Sequence, residues 1–100
     1  MKNSMKITLR VVHDGAERTL VAGPAAIVAF ERHWGVGVGK AMAEIRVEHL
    51  AWLAHRAAWQ EAQSGNGPAV KPFDAWLDQL DDIEAVGDED DDEVPLDGTP

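Results

Sequence analysis

The sequence predicts a small α+β fold, mainly helical, in which an N-terminal β-hairpin packs on three helices ahead of a disordered acidic tail. Three observations carry this expectation. Ile7, Leu9 and Val11 alternate with Thr8, Arg10 and Val12 before an Asp-Gly pair; three later stretches repeat apolar residues at helical intervals; and residues 81–100 hold ten acidic side chains and no basic one.

The hairpin spans residues 6–22. Asp14-Gly15 suits a type I′ turn, whose two central residues need positive φ. Closing the chain there sets Leu9 opposite Leu20, Ile7 opposite Ala22 and Val11 opposite Arg18, so the apolar residues fall mostly on one face. A lone hairpin is marginal in water, so that face must be covered. The first helix starts at Gly23-Pro24, where the missing proline N–H costs nothing, and runs through Ile27, Phe30 and Trp34 to a stop at Gly35. Gly35-Val36-Gly37-Val38-Gly39 reads as a flexible connector. A long helix over residues 40–63 follows, with one stripe of Met42, Ile45, His49, Trp52, Leu53, Arg56 and Trp59. A second stripe of Val47, Leu50, Ala54 and Ala57 lies beside it. Ser64-Gly65-Asn66-Gly67-Pro68 breaks it. The third helix opens at Pro72 and carries Phe73, Trp76, Leu77, Leu80 and Ile83. Asp81 and Asp82 near its C-terminal end oppose the helix dipole and should fray it.

The 100 residues carry a net charge of −9, unevenly divided: residues 1–80 hold eight acids and nine bases. The division expected is a domain over 1–85 and a disordered tail over 86–100, whose carboxylates offer nothing to bury. A near-neutral body with an acidic tail is a poor match for nucleic-acid phosphates. The absence of cysteine excludes disulfides, thiol catalysis and zinc–thiolate sites. The longest apolar run, Val21 to Phe30, is interrupted by Gly23 and Pro24 and falls short of the ~20 residues of a membrane span. No signal-peptide core follows Lys2 and Lys6. A soluble, cytosolic chain is expected.

The chemistry-bearing patterns are incomplete. A phosphate loop needs Gly, four residues, then Gly-Lys-Ser/Thr after a strand; before Gly39-Lys40 the first glycine is Trp34, Ala41 replaces the hydroxyl residue, and a helix precedes. The dinucleotide pattern fails at Lys40. His49 and His55 are six residues apart and off a common helix face, His13 and His33 lie on other elements, and Glu44 and Glu48 have Lys40 as a simple surface neighbour. No cofactor, metal site or catalytic set is expected.

The four tryptophans say more. Leu9, Leu20, Phe30, Trp34 and Trp52 are the expected core, with Trp52 buried against the hairpin face of Ile7, Leu9 and Leu20. Trp59, Phe73 and Trp76 are the candidate partner anchors, on the expectation that the 64–68 break folds the third helix back and brings Trp76 near Trp59.

As a whole the chain resembles the tail assembly chaperones of long-tailed bacteriophages, which are encoded just before the tape measure protein. The residues that carry the resemblance are Asp14-Gly15, Phe30-Glu31, the run from Glu48 to Ala57 (EHLAWLAHRA), Phe73-Asp74-Ala75-Trp76-Leu77-Asp78 and the acidic, proline-ending tail. Lys71-Pro72, where a Ser/Thr cap is expected, and the glycine-rich connector depart from the pattern. The resemblance implies a non-enzymatic role in the cytoplasm of the infected bacterium and absence from the mature virion. It implies binding to the helical tape measure protein, with the tail tube protein a further partner, and it leaves self-association open. The rival reading is a small acidic regulator or inhibitor, antitoxin-like or a nucleic-acid mimic, that acts through its tail.

Overall fold

The computed structural model describes residues 6–44 and 46–86. It shows a small α+β domain: a three-stranded antiparallel sheet with helices packed against it. The elements are β1 (Ile7–His13), β2 (Ala16–Ala22), α1 (Pro24–Trp34), α2 (Val38–Glu44), α3 (Val47–Gln63), α4 (Phe73–Leu77) and β3 (Leu80–Val86), and the strand order is β2-β1-β3.

The hairpin has the expected register, with Leu9 opposite Leu20, Ile7 opposite Ala22 and Val11 opposite Arg18. Its turn is set by Asp14 at φ 53° and Gly15 at φ 79°, the left-handed conformations that Asp-Gly tolerates best. The first helix also runs as expected. Pro24 stands in its first turn, and Gly35 ends it at φ 70° with its N–H on the Glu31 carbonyl at 2.9 Å.

Two expectations are overturned. The long helix predicted over 40–63 is two helices. Arg46 precedes α3 in an extended conformation (φ −94°, ψ 130°), and α2 begins earlier, at Val38, inside the stretch read as a connector. Two contacts account for the early start. The Val38 side chain is buried, and its N–H donates to the Glu31 carboxylate of α1 at 2.8 Å. That carboxylate satisfies an otherwise orphan donor at the start of α2. Glu31→Ala should therefore lower stability by about 1 kcal/mol in urea titration, as loss of a helix-capping side chain does.

The third helix is a single turn, Phe73–Leu77, and residues 80–86 form β3 rather than its continuation. Leu80 and Ile83 are three apart, a helical interval, and in a regular strand they would face opposite ways. Here the register shifts between Val12 and His13: Asp82 pairs with Val12, Leu80 pairs with His13, and Asp81 is the extra residue. The bulge returns Leu80 and Ile83 to the same side, where both pack on the core. The junction is tied to the hairpin turn. The Asp14 N–H donates to the Gln79 carbonyl at 2.8 Å, and the Gly15 N–H to the Asp81 carboxylate at 3.2 Å. Val86, placed in the tail by its sequence, is the last residue of β3 and lies opposite Thr8. The rest of the predicted tail, 87–100, lies outside the described residues.

One face of the sheet carries Leu9, Val11, Leu20 and Ala22 into the core, where they meet Phe30 and Ile27 of α1 and Leu50, Leu53, Ala54 and Ala57 of α3. Short alanine side chains on α3 allow it to approach the strands closely. The opposite face centres on Arg10, which donates to Glu84 at 2.8 Å and lies 3.6 Å from both Glu17 and Asp82. Its hydrogen bond and charge hold the Glu84 carboxyl below the usual carboxylate range. These side chains are exposed, so salt screens them. No helix among the described residues is long and apolar enough to cross a membrane.

Candidate partner-binding surface

The orientation of α3 decides what the protein presents to solvent. Its sheet-facing line is Leu50, Ala54, Ala57 and Glu61, and the Glu61 carboxylate accepts from Arg18 of β2 at 2.7 Å. Residues two apart on a helix are about 200° apart, so Trp52 cannot share that line with Ala54. Trp52, expected against the hairpin face, is instead half-buried against α1, stacked on His33 at 4.7 Å and edge-on to Phe30 at 6.0 Å.

Of the other candidate core residues, Leu9, Leu20 and Phe30 are fully buried, whereas Trp34 is half-buried at the core margin. The Trp34 and His49 rings meet at 4.8 Å, and Trp34 Nε1 and His49 Nδ1 are both buried without a hydrogen-bond partner.

The proposed anchors separate into two kinds. Trp76 is 4% exposed and belongs to the core, so it is not available to a partner. His13 stacks on its ring at 4.6 Å and donates from Nε2 to its carbonyl at 2.8 Å. His55 of α3 holds the same segment. Its Nε2 donates to the Lys71 carbonyl at 2.7 Å, and its ring stands edge-on to Phe73 and Trp76. A carbonyl only accepts, so both Nε2 atoms carry the proton. Neither histidine has a role legible from local spacing, because only the fold brings them to Phe73 and Trp76.

Trp59 is 37% exposed and does not meet Trp76 as expected. It lies under the Arg56 guanidinium, 4.6 Å from ring centroid to Cζ. Trp52, His55, Arg56 and Trp59 fall at i, i+3, i+4 and i+7 and make one outward strip, bordered by His33 of α1 and by half-buried Phe73 of α4. This is an aromatic and cationic surface on an otherwise acidic protein.

Little else converges. Among the described residues no three His, Asp or Glu side chains are placed to hold a metal ion. An open cleft of about 150 Å³ lies between the hairpin turn and the 68–71 loop, lined by His13, Arg18, Val70, Lys71, Trp76 and Gln79. Comparison with known proteins finds no family model, no curated protein and no solved structure that matches the chain.

Proposed function

We propose that the chain is a non-enzymatic tail assembly chaperone, of the kind its sequence resembles, which binds and solubilises a tape measure protein in the cytoplasm of an infected bacterium and is absent from the mature virion. It works without a cofactor. The observation that carries this reading is the outward strip of α3, where Trp52 and Trp59, with neighbouring Phe73, leave aromatic surface uncovered beside a cationic side chain. Large, partly exposed aromatics flanked by charge are the residues that dominate protein–protein contacts. Trp59 and Phe73 are the anchors in this reading, and Trp76, buried in the core, is not one of them.

The test is co-expression with the protein encoded by the adjacent tape measure gene. The wild-type chain should keep that protein in the soluble fraction. Trp59→Ala and Phe73→Ala, shown folded by circular dichroism, should reduce the soluble yield several-fold, while truncation after Val86 should be milder. The opposite ranking, with full activity in the aromatic variants and none after truncation, would transfer the function to the acidic tail and favour the regulator reading. A wild-type chain without effect on the tape measure protein would overturn the chaperone reading.

A further inference from the structure

We infer that the segment received by the α3 strip is an amphipathic helix carrying a carboxylate that pairs with Arg56; this rests on the strip being the binding surface. Arg56 is a cation on this strip without a charge partner among the described residues, whereas Arg10 and Arg18 are both paired. Its Nε is buried and closed to a partner, so a docking group meets the outer nitrogens of the guanidinium. A guanidinium offers five donors in a planar fork that fits a carboxylate. Placed over the Trp59 ring, it is held beside an apolar contact rather than extended into water. Glu48, on the same side of α3, is eight residues away and so about 12 Å along the axis, too far to neutralise it.

Backbone hydrogen bonding favours a helical occupant. The strip consists of side chains on a helix whose main-chain groups are already paired along α3. An extended segment laid there would lose water from its own N–H and C=O groups and find no replacements. A helix brings its backbone already satisfied, and its apolar residues at i, i+3, i+4 and i+7 match the spacing of Trp52, His55, Arg56 and Trp59. A carboxylate at the edge of that apolar seam would reach the free side of the Arg56 fork.

The experiment uses the full chain and a panel of synthetic 18-residue helices with a leucine seam. Each carries one Glu at one of four positions flanking the seam and is paired with a Gln twin. Affinity is read by isothermal titration at low and high salt. At least one Glu peptide should bind about fivefold or more tightly than its twin. That advantage should shrink with salt, vanish in Arg56→Gln and be partly kept in Arg56→Lys, with all variants folded by circular dichroism. Equal affinity of every Glu/Gln pair, or an advantage that survives Arg56→Gln, would overturn the carboxylate assignment while leaving the chaperone reading to its co-expression test. Failure of every peptide to bind would overturn the helix-docking inference. Solubilisation of the tape measure protein that is lost in Trp59→Ala, alongside such failure, would show that the strip recognises something other than a helix.

Discussion

Phe30→Ala should abolish cooperative unfolding near room temperature. Phe30 is fully buried, and three of its contacts are aromatic: Trp34 at 6.3 Å, His49 at 5.4 Å and Trp52 at 6.0 Å. Removing a buried phenyl ring costs about 3–5 kcal/mol, from lost transfer free energy and from the cavity left behind. A small domain has only about 5–15 kcal/mol of total stability, and one of this size lies toward the lower end. The loss would also loosen α1 from α3, because Phe30 is the ring both helices share. Thermal melting followed by far-UV circular dichroism checks this. Trp52→Ala provides the internal comparison: its ring is half-buried, so it should cost roughly half as much and leave a cooperative transition. Equal effects of the two would place Trp52 in the core after all.

Removal of β3 should be still more damaging. Truncation after Gln79 deletes the partner of β1 along one whole edge, from Thr8 opposite Val86 to His13 opposite Leu80. It also uncovers Val11, 1% exposed, by removing Ile83 beside it. What remains is a hairpin on α1 and α3 whose central strand has lost every hydrogen bond along one edge and whose core is open beside Val11. The expected outcome is loss of the folding transition and accumulation in the insoluble fraction. Truncation after Val86, only seven residues further on, keeps every described pair and should leave the melting temperature within a few degrees. Similar melting of the two shortened chains would show that β3 adds nothing to the fold.

The hairpin was legible because two independent signals agreed: the Asp14-Gly15 turn set the register and the alternation of Ile7, Leu9 and Val11 set the face. Pro24 and Gly35 bracketed α1 for the same reason, each fitting a backbone demand at its own position. Local patterns failed where a distant contact decided. The α2 start depends on Glu31 reaching Val38, and the break at Arg46 has no proline or glycine to announce it. The third strand was hidden because a bulge converts the two-residue period of a strand into the three-residue interval between Leu80 and Ile83. Half of the candidate surface was visible too. Trp59 was exposed as proposed, but Trp76 could be placed only once His13, from the far end of the hairpin, was known to cover it.

The position of β1 has a consequence for how the chain acquires its structure. Its partner on one side follows after a two-residue turn, yet its partner on the other is the last of the described elements: Val11 meets Arg18 and Ile83. The first pairing closes a small loop, and the second must wait for α1 to α4 to be synthesised and brought round, so the sheet has both very short and very long sequence separations. On the ribosome, a nascent chain of this design exposes the free edge of its central strand, with Leu9 and Val11 beside it, until β3 emerges. That is the interval in which edge-to-edge association with another nascent chain is most favoured. The strand that ends it carries Asp81, Asp82 and Glu84. Once β3 is seated, the finished sheet turns an acidic edge outward, and the same addition that completes the fold repels a second copy from continuing it.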